Sequence, residues 1–496
     1  MISLKQFVLS ALHLGGFFLC AASGTLHLSA QPYSNPVGTA LGGAGAISAQ
    51  DVDAIASNPA LMIPQIPLKT AFTTTTQSTS TALIFTLGAV GGVGGESALN
   101  LSEISTYFRR VDAKRRVLSD EELRTVSSRL DGSRIGARAD ATLLAAVLQT
   151  PVGAFALSAS VHGDAGVKLP QGLGQLLQGY DAAQRLSITG LNALAYSYGN
   201  LQLGYANYII TPDVADSTST LASLRVGGAV QYLVGYAFEE VSSARLDLAP
   251  IPVNDFPTTS YNIRANLDYT VRSAGTALLT RGQAPKDAAS LLNAAAGSGF
   301  GVSLGAAASL RLPGSKRDAW KIAVSLTDIG GITWSSARFA RVSFQDSIKS
   351  IVPLATDSTY LQRLRDTADR KQSVSRGLAT RLHIGFAFDY GAYFDLPMPL
   401  VLNVQYTQGL SESGFNTTAP RLTLGMAWEN RGWLPSVRTG VAVGGQEGIL
   451  WSAGLGWNVE DAFLIDAAFV NLLPLLSSGS GAWLGGSLRL KGRIAW

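Results

Sequence analysis

Few residues stand at spacings that carry chemistry. Of four histidines, His13 and His27 fall in an N-terminal stretch that reads as an export signal, and His162 and His383 stand apart from each other. No histidine metal cluster is therefore expected. Cys20 is the only cysteine and lies in the same stretch, so the mature chain has neither a disulfide framework nor a thiolate metal site. Phe17-Phe18-Leu19 before it lacks the small residue that lipoprotein processing requires. Gly301-Val302-Ser303-Leu304-Gly305 matches G-x-S-x-G. That motif presents a nucleophile only on a strand-to-helix elbow; here it falls inside an alternating strand and reads as chance. No Walker-type Gly-Lys-Ser/Thr loop or EF-hand loop is present. Asp268, Asp389 and Glu429 sit on the polar faces of alternating segments and read as lining groups, not as an acid–base pair. A hydrolase on such strands needs a serine and a histidine meeting across them, and His383 is the histidine to test. No catalytic residue, metal or cofactor is assigned, and no enzyme activity is expected.

The elements that hold these residues show a period of two. In 421–430, Leu422, Leu424, Met426 and Trp428 share one face, while Arg421, Thr423, Gly425, Ala427 and Glu429 share the other. In 381–390, Leu382, Ile384, Phe386, Phe388 and Tyr390 oppose Arg381, His383, Gly385, Ala387 and Asp389. The same pattern runs through 261–272, 451–459 and at least four further segments. Each matches the ~9–11 residues a tilted strand needs to cross a bilayer, against about 5–6 in a soluble sandwich. Only 15% of the 496 residues are charged, and the mean hydropathy is +0.21. Yet no apolar run after the N-terminus reaches the roughly 20 residues of a spanning helix. An apolar chain without such helices can spread its lipid-facing surface over many alternating strands. Charged Arg264, Asp268 and Arg381 on the second face fit a wet lumen, and Trp428, Trp433, Trp457, Tyr390 and Tyr406 fit interfacial girdles. The net charge of +4 comes without a dense basic run beside aromatic platforms, so nucleic-acid binding is not expected.

About seventeen strands are expected, near 68–76, 80–89, 140–149, 152–162, 186–198, 200–210, 222–236, 260–273, 299–312, 318–328, 379–390, 399–409, 420–430, 435–445, 448–458, 463–471 and 482–495. Single-chain bacterial barrels use an even number. Short turns at 149–151, 312–317, 431–434 and 460–462 define one end, taken as periplasmic. The longer connections 90–139, 163–185, 274–298, 329–378 and 409–419 define the other. Alternation fails over 237–259, which reads as an insertion or a plug-like excursion. Two inserts read as helical: 101–131, with a capping box at Ser119 and Glu122, and the charged 358–372. Residues 1–30 read as the signal peptide, with Lys5, an apolar stretch Phe7 to Ala22, and cleavage after Ala22 or Ala30. Leu488, Leu490 and Ile494 share one phase with the terminal Trp496, a pattern that looks like the signal read by barrel-assembly machinery.

The segment after the signal contains Gly38, Gly42, Gly43, Gly45, Asp51 and Asp53 and ends in Asn58-Pro59-Ala60-Leu61. Glycines let a chain pass close to a wall and take positive φ, Pro59 pushes Asn58 away from helix, and an asparagine can close a local turn. A compact plug follows more naturally than a strand. This segment resembles the start of the FadL-type outer-membrane transport superfamily (OMPP1/FadL/TodX). There a Gly/Ala-rich segment, an acidic residue and Asn-Pro-Ala form a hatch inside the barrel. The stretches 299–306 and 325–334 are similar to those of its TraF-like and PorV-like branches. The resemblance implies a 14-stranded barrel plugged by its N-terminal segment, with hatch residues Gly42, Gly43, Gly45, Asp51, Asn58, Pro59 and Ala60. It also implies passive transport of hydrophobic, fatty-acid-like molecules, which in FadL itself enter from outside and leave laterally through the wall. PorV-like members instead bind proteins of a secretion machine.

The expected fold is thus all-β: a transmembrane antiparallel β-barrel of 14 strands, 16 being possible, with an N-terminal hatch in the lumen and small helical loop inserts. Residues 1–30 would be the signal, 31–67 the hatch and 68–496 the barrel, integral to a bacterial outer membrane. Expected partners are outer-membrane lipid, the barrel-assembly machinery, and hydrophobic small molecules or a secretion-system protein. A transporter predicts an apolar pocket beneath the hatch and a gap or kink in the wall. A secretion or scaffold barrel predicts a filled lumen and a sticky loop surface.

Overall fold

A computed structural model describes residues 35–63, 81–96, 99, 103, 110–111, 114–115, 119–178, 184–210, 220–255, 258–275, 295–311, 318–348, 370–394, 400–411, 418–430, 434–445, 448–459, 462–476 and 483–495. The signal segment 1–30, the expected strand at 68–76, Trp433 and Trp496 lie outside the described residues. Eighteen strands are described. They are β1 (Ala82–Glu96), β2 (Arg110–Val111), β3 (Lys114–Arg115), β4 (Arg134–Thr150), β5 (Gly153–Lys168), β6 (Leu186–Ile210), β7 (Leu221–Asp255), β8 (Thr258–Ala274) and β9 (Gly297–Arg311). They continue as β10 (Asp318–Ile348), β11 (Arg370–Gly377), β12 (Arg381–Asp389), β13 (Leu400–Gly409), β14 (Arg421–Trp428), β15 (Ser436–Gly444), β16 (Ile449–Val459), β17 (Phe463–Val470) and β18 (Leu484–Ala495).

All but β2 and β3 join one sixteen-stranded antiparallel sheet. Fourteen of them close into a ring that passes from β1 through β4, β5, β6, β7, β9, β10 and β12, then on through β13 to β18. The closing seam pairs Ala82 with Ala495 and Gly94 with Leu484. Closure leaves no ring strand with unpaired backbone groups towards lipid, where each would cost several kcal/mol. The pleat sorts the side chains. On β14, Leu422, Leu424 and Met426 point outward, while Arg421, Thr423 and Ala427 are buried inside. The outer face carries a belt of exposed apolar groups on every ring strand from β12 to β18. Trp320, Phe386, Phe388, Tyr390, Tyr393 and Phe394 cluster at the short-turn rim, with ring centroids 4.4 to 6.5 Å apart. Such amphipathic rings suit the boundary between hydrocarbon and water.

Two strands lie outside the ring and correct the expected layout. β8 follows β9 between β7 and β10, and β11 follows β12 along β10. The pairs Gly331 with Gly377 and Thr327 with Arg381 keep one register across the break between β11 and β12. The result is a five-stranded sheet of β6, β7, β8, β10 and β11 that projects past the rim at the long-connection end. Residues 237–255 are therefore neither insertion nor plug but the continuation of β7, which at 35 residues far exceeds the ~9–11 a crossing needs. β10 likewise runs on to Ile348, where a loop was expected. Alternation weakens there because both faces of the projecting sheet lie outside lipid. Asp268 pairs with Arg341 at 2.9 Å in this sheet, and Arg264 is exposed, so neither Asp268 nor Arg264 lines the lumen.

Of the insert 101–131 expected to be helical, Arg110–Val111 and Lys114–Arg115 pair as two short strands instead, and its second half is helical. A helix spans Asp120–Leu130, and Ser119 and Glu122 close the capping box: Glu122 N donates to Ser119 Oγ, and Ser119 N donates to Glu122 Oε2 at 2.9 Å. It packs on a second helix, Leu173–Gln178. Of the expected helix 358–372, residues 370–372 belong to β11 and the remainder lies outside the described residues.

The outward face of β14 gives a direct test. Leu424→Arg should destabilise the barrel by about 2–4 kcal/mol, the cost of a cation near the bilayer midplane. Denaturant unfolding of the protein folded into phospholipid vesicles measures it, and a change near zero would remove Leu424 from lipid.

Candidate functional site

Residues 35–63 lie inside the ring and pack on its inner wall. Local chemistry shapes the segment first. Asn35 caps the helix Pro36–Ala40, accepting from Gly38 N at 3.2 Å, with Pro36 at the first helical position, where no N–H is needed. Gly42 (φ 72°) and Gly43 (φ 102°) then reverse the chain in the left-handed region. Gly45 opens the helix Gly45–Ser48 and lies so near Gly38 that a Cβ on Gly38 would sit 2.8 Å from its Cα. The second half is two short 3-10 turns, Asp51–Ala54 and Pro59–Met62. Asn58 joins the halves. Its Oδ1 accepts from Ala60 N at 3.2 Å, and its Nδ2 donates to Ala46 O at 3.2 Å.

The wall answers with small residues. Ala145, Ala154, Ala156, Ala206, Ala229, Ala307, Ala323, Ala387 and Ala427 form one buried cluster with Leu41, Ile47, Ile55, Leu61 and Met62 of the hatch. Each of those larger side chains contributes about 1.5–3 kcal/mol by leaving water. Glycines stand where the hatch comes closest. A Cβ on Gly227 would lie 2.5 Å from the carbonyl carbon of Pro59, and one on Gly385 would lie 2.5 Å from Ile47 Cβ. Gly305 meets Asn58 in the same way. The G-x-S-x-G glycine thus makes room for the hatch, and Ser303 accepts from Gln231 and from Asp328 N.

Buried backbone groups of the hatch need partners, and wall side chains supply them. Gln405 accepts from Ala46 N at 2.9 Å and donates to Gly43 O at 3.1 Å. Arg421 donates to Gly42 O, Ser325 to Ser57 O, Gln149 to Met62 O and Arg225 to Ile63 O. The backbone–backbone bonds of the described hatch all stay within it. Among the described residues no strand ladder fastens it.

Charge fixes the lower edge. Asp51, at φ 55°, holds Gln149 at 2.8 Å and Lys491 at 3.0 Å. Asp53 pairs with Arg489, which also pairs with Asp466; Asp466 meets Arg438 at 2.7 Å, and Arg438 meets Glu429 at 2.8 Å. In this chain of contacts the wall alone has three basic and two acidic groups. The hatch supplies the two further acids.

Of the hatch residues singled out in the sequence, Gly42, Gly43 and Gly45 shape the first half, Asp51 anchors to the wall, and Asn58, Pro59 and Ala60 meet Gly227 and Gly305. Leu488, Leu490 and Ile494 face outward on the final strand. Asp389 is no lumen group: it caps a short helix, Tyr390–Tyr393, at the short-turn end. His383 is buried and meets Thr407 and Gln405, not a serine. His162, apart from other histidines in the sequence, contacts Asp140 and Ser160. A cleft of ≈ 30 Å³ at the hatch face is lined by Asn35, Thr39, Asp328, Arg381, His383 and Gln405 among others. Its lining mixes these polar groups with Gly38, Gly45, Ala46 and Ala56, and it has room for roughly two waters, too small for the apolar pocket expected beneath a hatch. The wall partners Gln149, Gln405, Asp466 and Arg489 were missed; their signal was a polar residue at an inward position of an apolar strand.

Asp53→Asn should unseat the lower edge, since breaking a buried pair costs about 3–5 kcal/mol. Gly227→Val should displace Pro59. In either variant, hydrogen exchange should rise over 51–63 while the ring strands stay protected, and unchanged exchange there would contradict this seating.

Among solved structures, the toluene transporter TbuX of Ralstonia pickettii aligns over 93% of this chain and 98% of its own, at 10% identity and TM-score 0.41. A mutant of the TodX monoaromatic hydrocarbon channel aligns over 93% and 98%, at 9% identity and TM-score 0.43. A porin of Rhodopseudomonas blastica aligns over 82% and 99%, at 10% identity and TM-score 0.22. No curated protein matches the chain. Residues 77–456 match the family of unknown function DUF5723, and the chain belongs to that family.

Proposed function

We propose that this protein is an integral outer-membrane barrel that passes hydrophobic small molecules through a lumen gated by residues 35–63. The observation that carries this reading is the mode of attachment. The described hatch lies inside the lumen, and among the described residues side chains and packing hold it to the wall. A segment woven into the sheet would need strand ladders broken before it moved. This one needs its packed apolar side chains, its charged contacts and a set of single hydrogen bonds exposed to water, each hydrogen bond worth about 0.5–1.5 kcal/mol net.

Above the hatch, Leu233, Phe238, Ile332, Trp334 and Leu378 form a second apolar cluster with Tyr198. The cluster is buried, so an apolar molecule entering from the long-connection end would have to part these side chains before it reached the hatch. The outward Leu488, Leu490 and Ile494 on β18 would be the stretch recognised during barrel assembly.

Cysteines at Ser57 and Ser325 test the gate, because Ser325 Oγ donates to Ser57 O at 2.7 Å. Cross-linking that pair should abolish uptake of radiolabelled toluene or oleate by cells with an intact outer membrane, and reduction should restore it. Uptake that ignores the cross-link would overturn the gated lumen. So would a purified barrel that holds no apolar molecule and carries a stoichiometric protein partner.

A further inference from the structure

On β5 the residues Ala154, Ala156, Ser158, Ser160, His162 and Asp164 share the inward face. The alanines belong to the hatch core; Ser160 and His162 stand higher on the same column. Asp140 of β4 is the direct neighbour of His162 in the sheet. Three side chains meet here. Ser160 Oγ lies 2.8 Å from His162 Nε2, and His162 Nδ1 lies 2.6 Å from Asp140 Oδ1. An ionised carboxylate only accepts, so Nδ1 carries the proton and Nε2 is left to accept from the serine hydroxyl. Asp140 is fully buried, and Tyr198 stacks on the imidazole at 4.8 Å between centroids. The histidine is thereby held in one tautomer and one orientation, the arrangement that activates a serine.

We propose that Ser160, His162 and Asp140 form a nucleophilic triad that hydrolyses carboxylic esters with an apolar acyl group. Ser160 Oγ bonds to the carbonyl carbon while its proton passes to His162 Nε2. His162 returns that proton to the departing alkoxide as the ester C–O bond breaks. Water, deprotonated by the same nitrogen, then cleaves the acyl-serine to carboxylate and free Ser160. Asp140 stabilises the imidazolium in both steps. Asn200 of β6 pairs directly with Ser160, and its Oδ1 has no partner among the described residues. Tyr198 joins the site to the apolar cluster of Leu233, Phe238 and Trp334, which favours an apolar acyl chain. The neighbouring β4 shifts register between Thr142 and Leu144, opposite Ser160, where a bulge re-aims side chains.

The full-length protein, folded in detergent and checked by heat-modifiable mobility, is treated with a fluorophosphonate and digested for mass spectrometry. Turnover of p-nitrophenyl butyrate is followed in parallel. The expected result is a single adduct on Ser160, lost in Ser160→Ala and His162→Gln. Turnover should fall about 10⁴-fold in Asp140→Asn with the barrel still folded. An unlabelled Ser160, an adduct on Ser303 instead, or hydrolysis that survives Ser160→Ala would overturn the proposal. The readout is a covalent bond, not flux, so its outcome is separate from that of the transport experiment.

Discussion

Space inside the ring governs this molecule. An eight-stranded barrel is filled by its own side chains, while sixteen or more strands leave an aqueous channel. Fourteen strands fall between these limits. Inward alanines and glycines widen the interior further, until a folded stretch of chain can occupy it. A large residue at Gly227 or Gly385 would take space already held by Pro59 or Ile47. Wall and hatch are therefore one packing problem, solved by small residues on one side and Leu41, Ile47, Leu61 and Met62 on the other.

Polarity follows from the same choice. Residues 35–63 make no strand pairing with the wall, so they bring carbonyls and amides into a buried interior, and the wall meets them one at a time with glutamine, arginine and serine side chains. Gln405 does this twice, accepting from Ala46 and donating to Gly43, as a backbone peptide would. Arg489, buried between Asp53 and Asp466, links the hatch to a charge chain that runs on to Glu429. The dry outside and the polar inside are then two faces of each strand, separated by one pleat.

The sequence made the ring legible because lipid and lumen impose opposite demands on successive residues. Leu422, Leu424 and Met426 against Arg421, Thr423 and Gly425 need no tertiary knowledge to sort. Fourteen ring strands agree with the number the resemblance implied, and that resemblance also marked Asn58-Pro59-Ala60. Above the rim the two-sided demand ends. Residues 237–255 of β7 lost their alternation and were read as an excursion, although the strand continues. Contacts across the lumen were invisible for another reason. Asp53 meets Arg489 and Ser57 meets Ser325 over hundreds of residues of chain, and no local period reports such a pairing. His162 shows the same limit at short range: Asp140 lies beside it only because two strands adopt one register out of several.

Strand stacking along β10 has a developmental side. On each side of β10, one lane of the wall is tiled by two strands laid end to end, β9 then β8 and β12 then β11. The lower tile closes the lipid-facing ring, and the upper tile belongs to the projecting sheet. Hairpins in the upper tile can be lengthened, trimmed or replaced while every hydrogen bond of the ring is kept. A lineage carrying this barrel can thus remodel its exposed crown freely, with the lumen and its hatch inherited unchanged beneath.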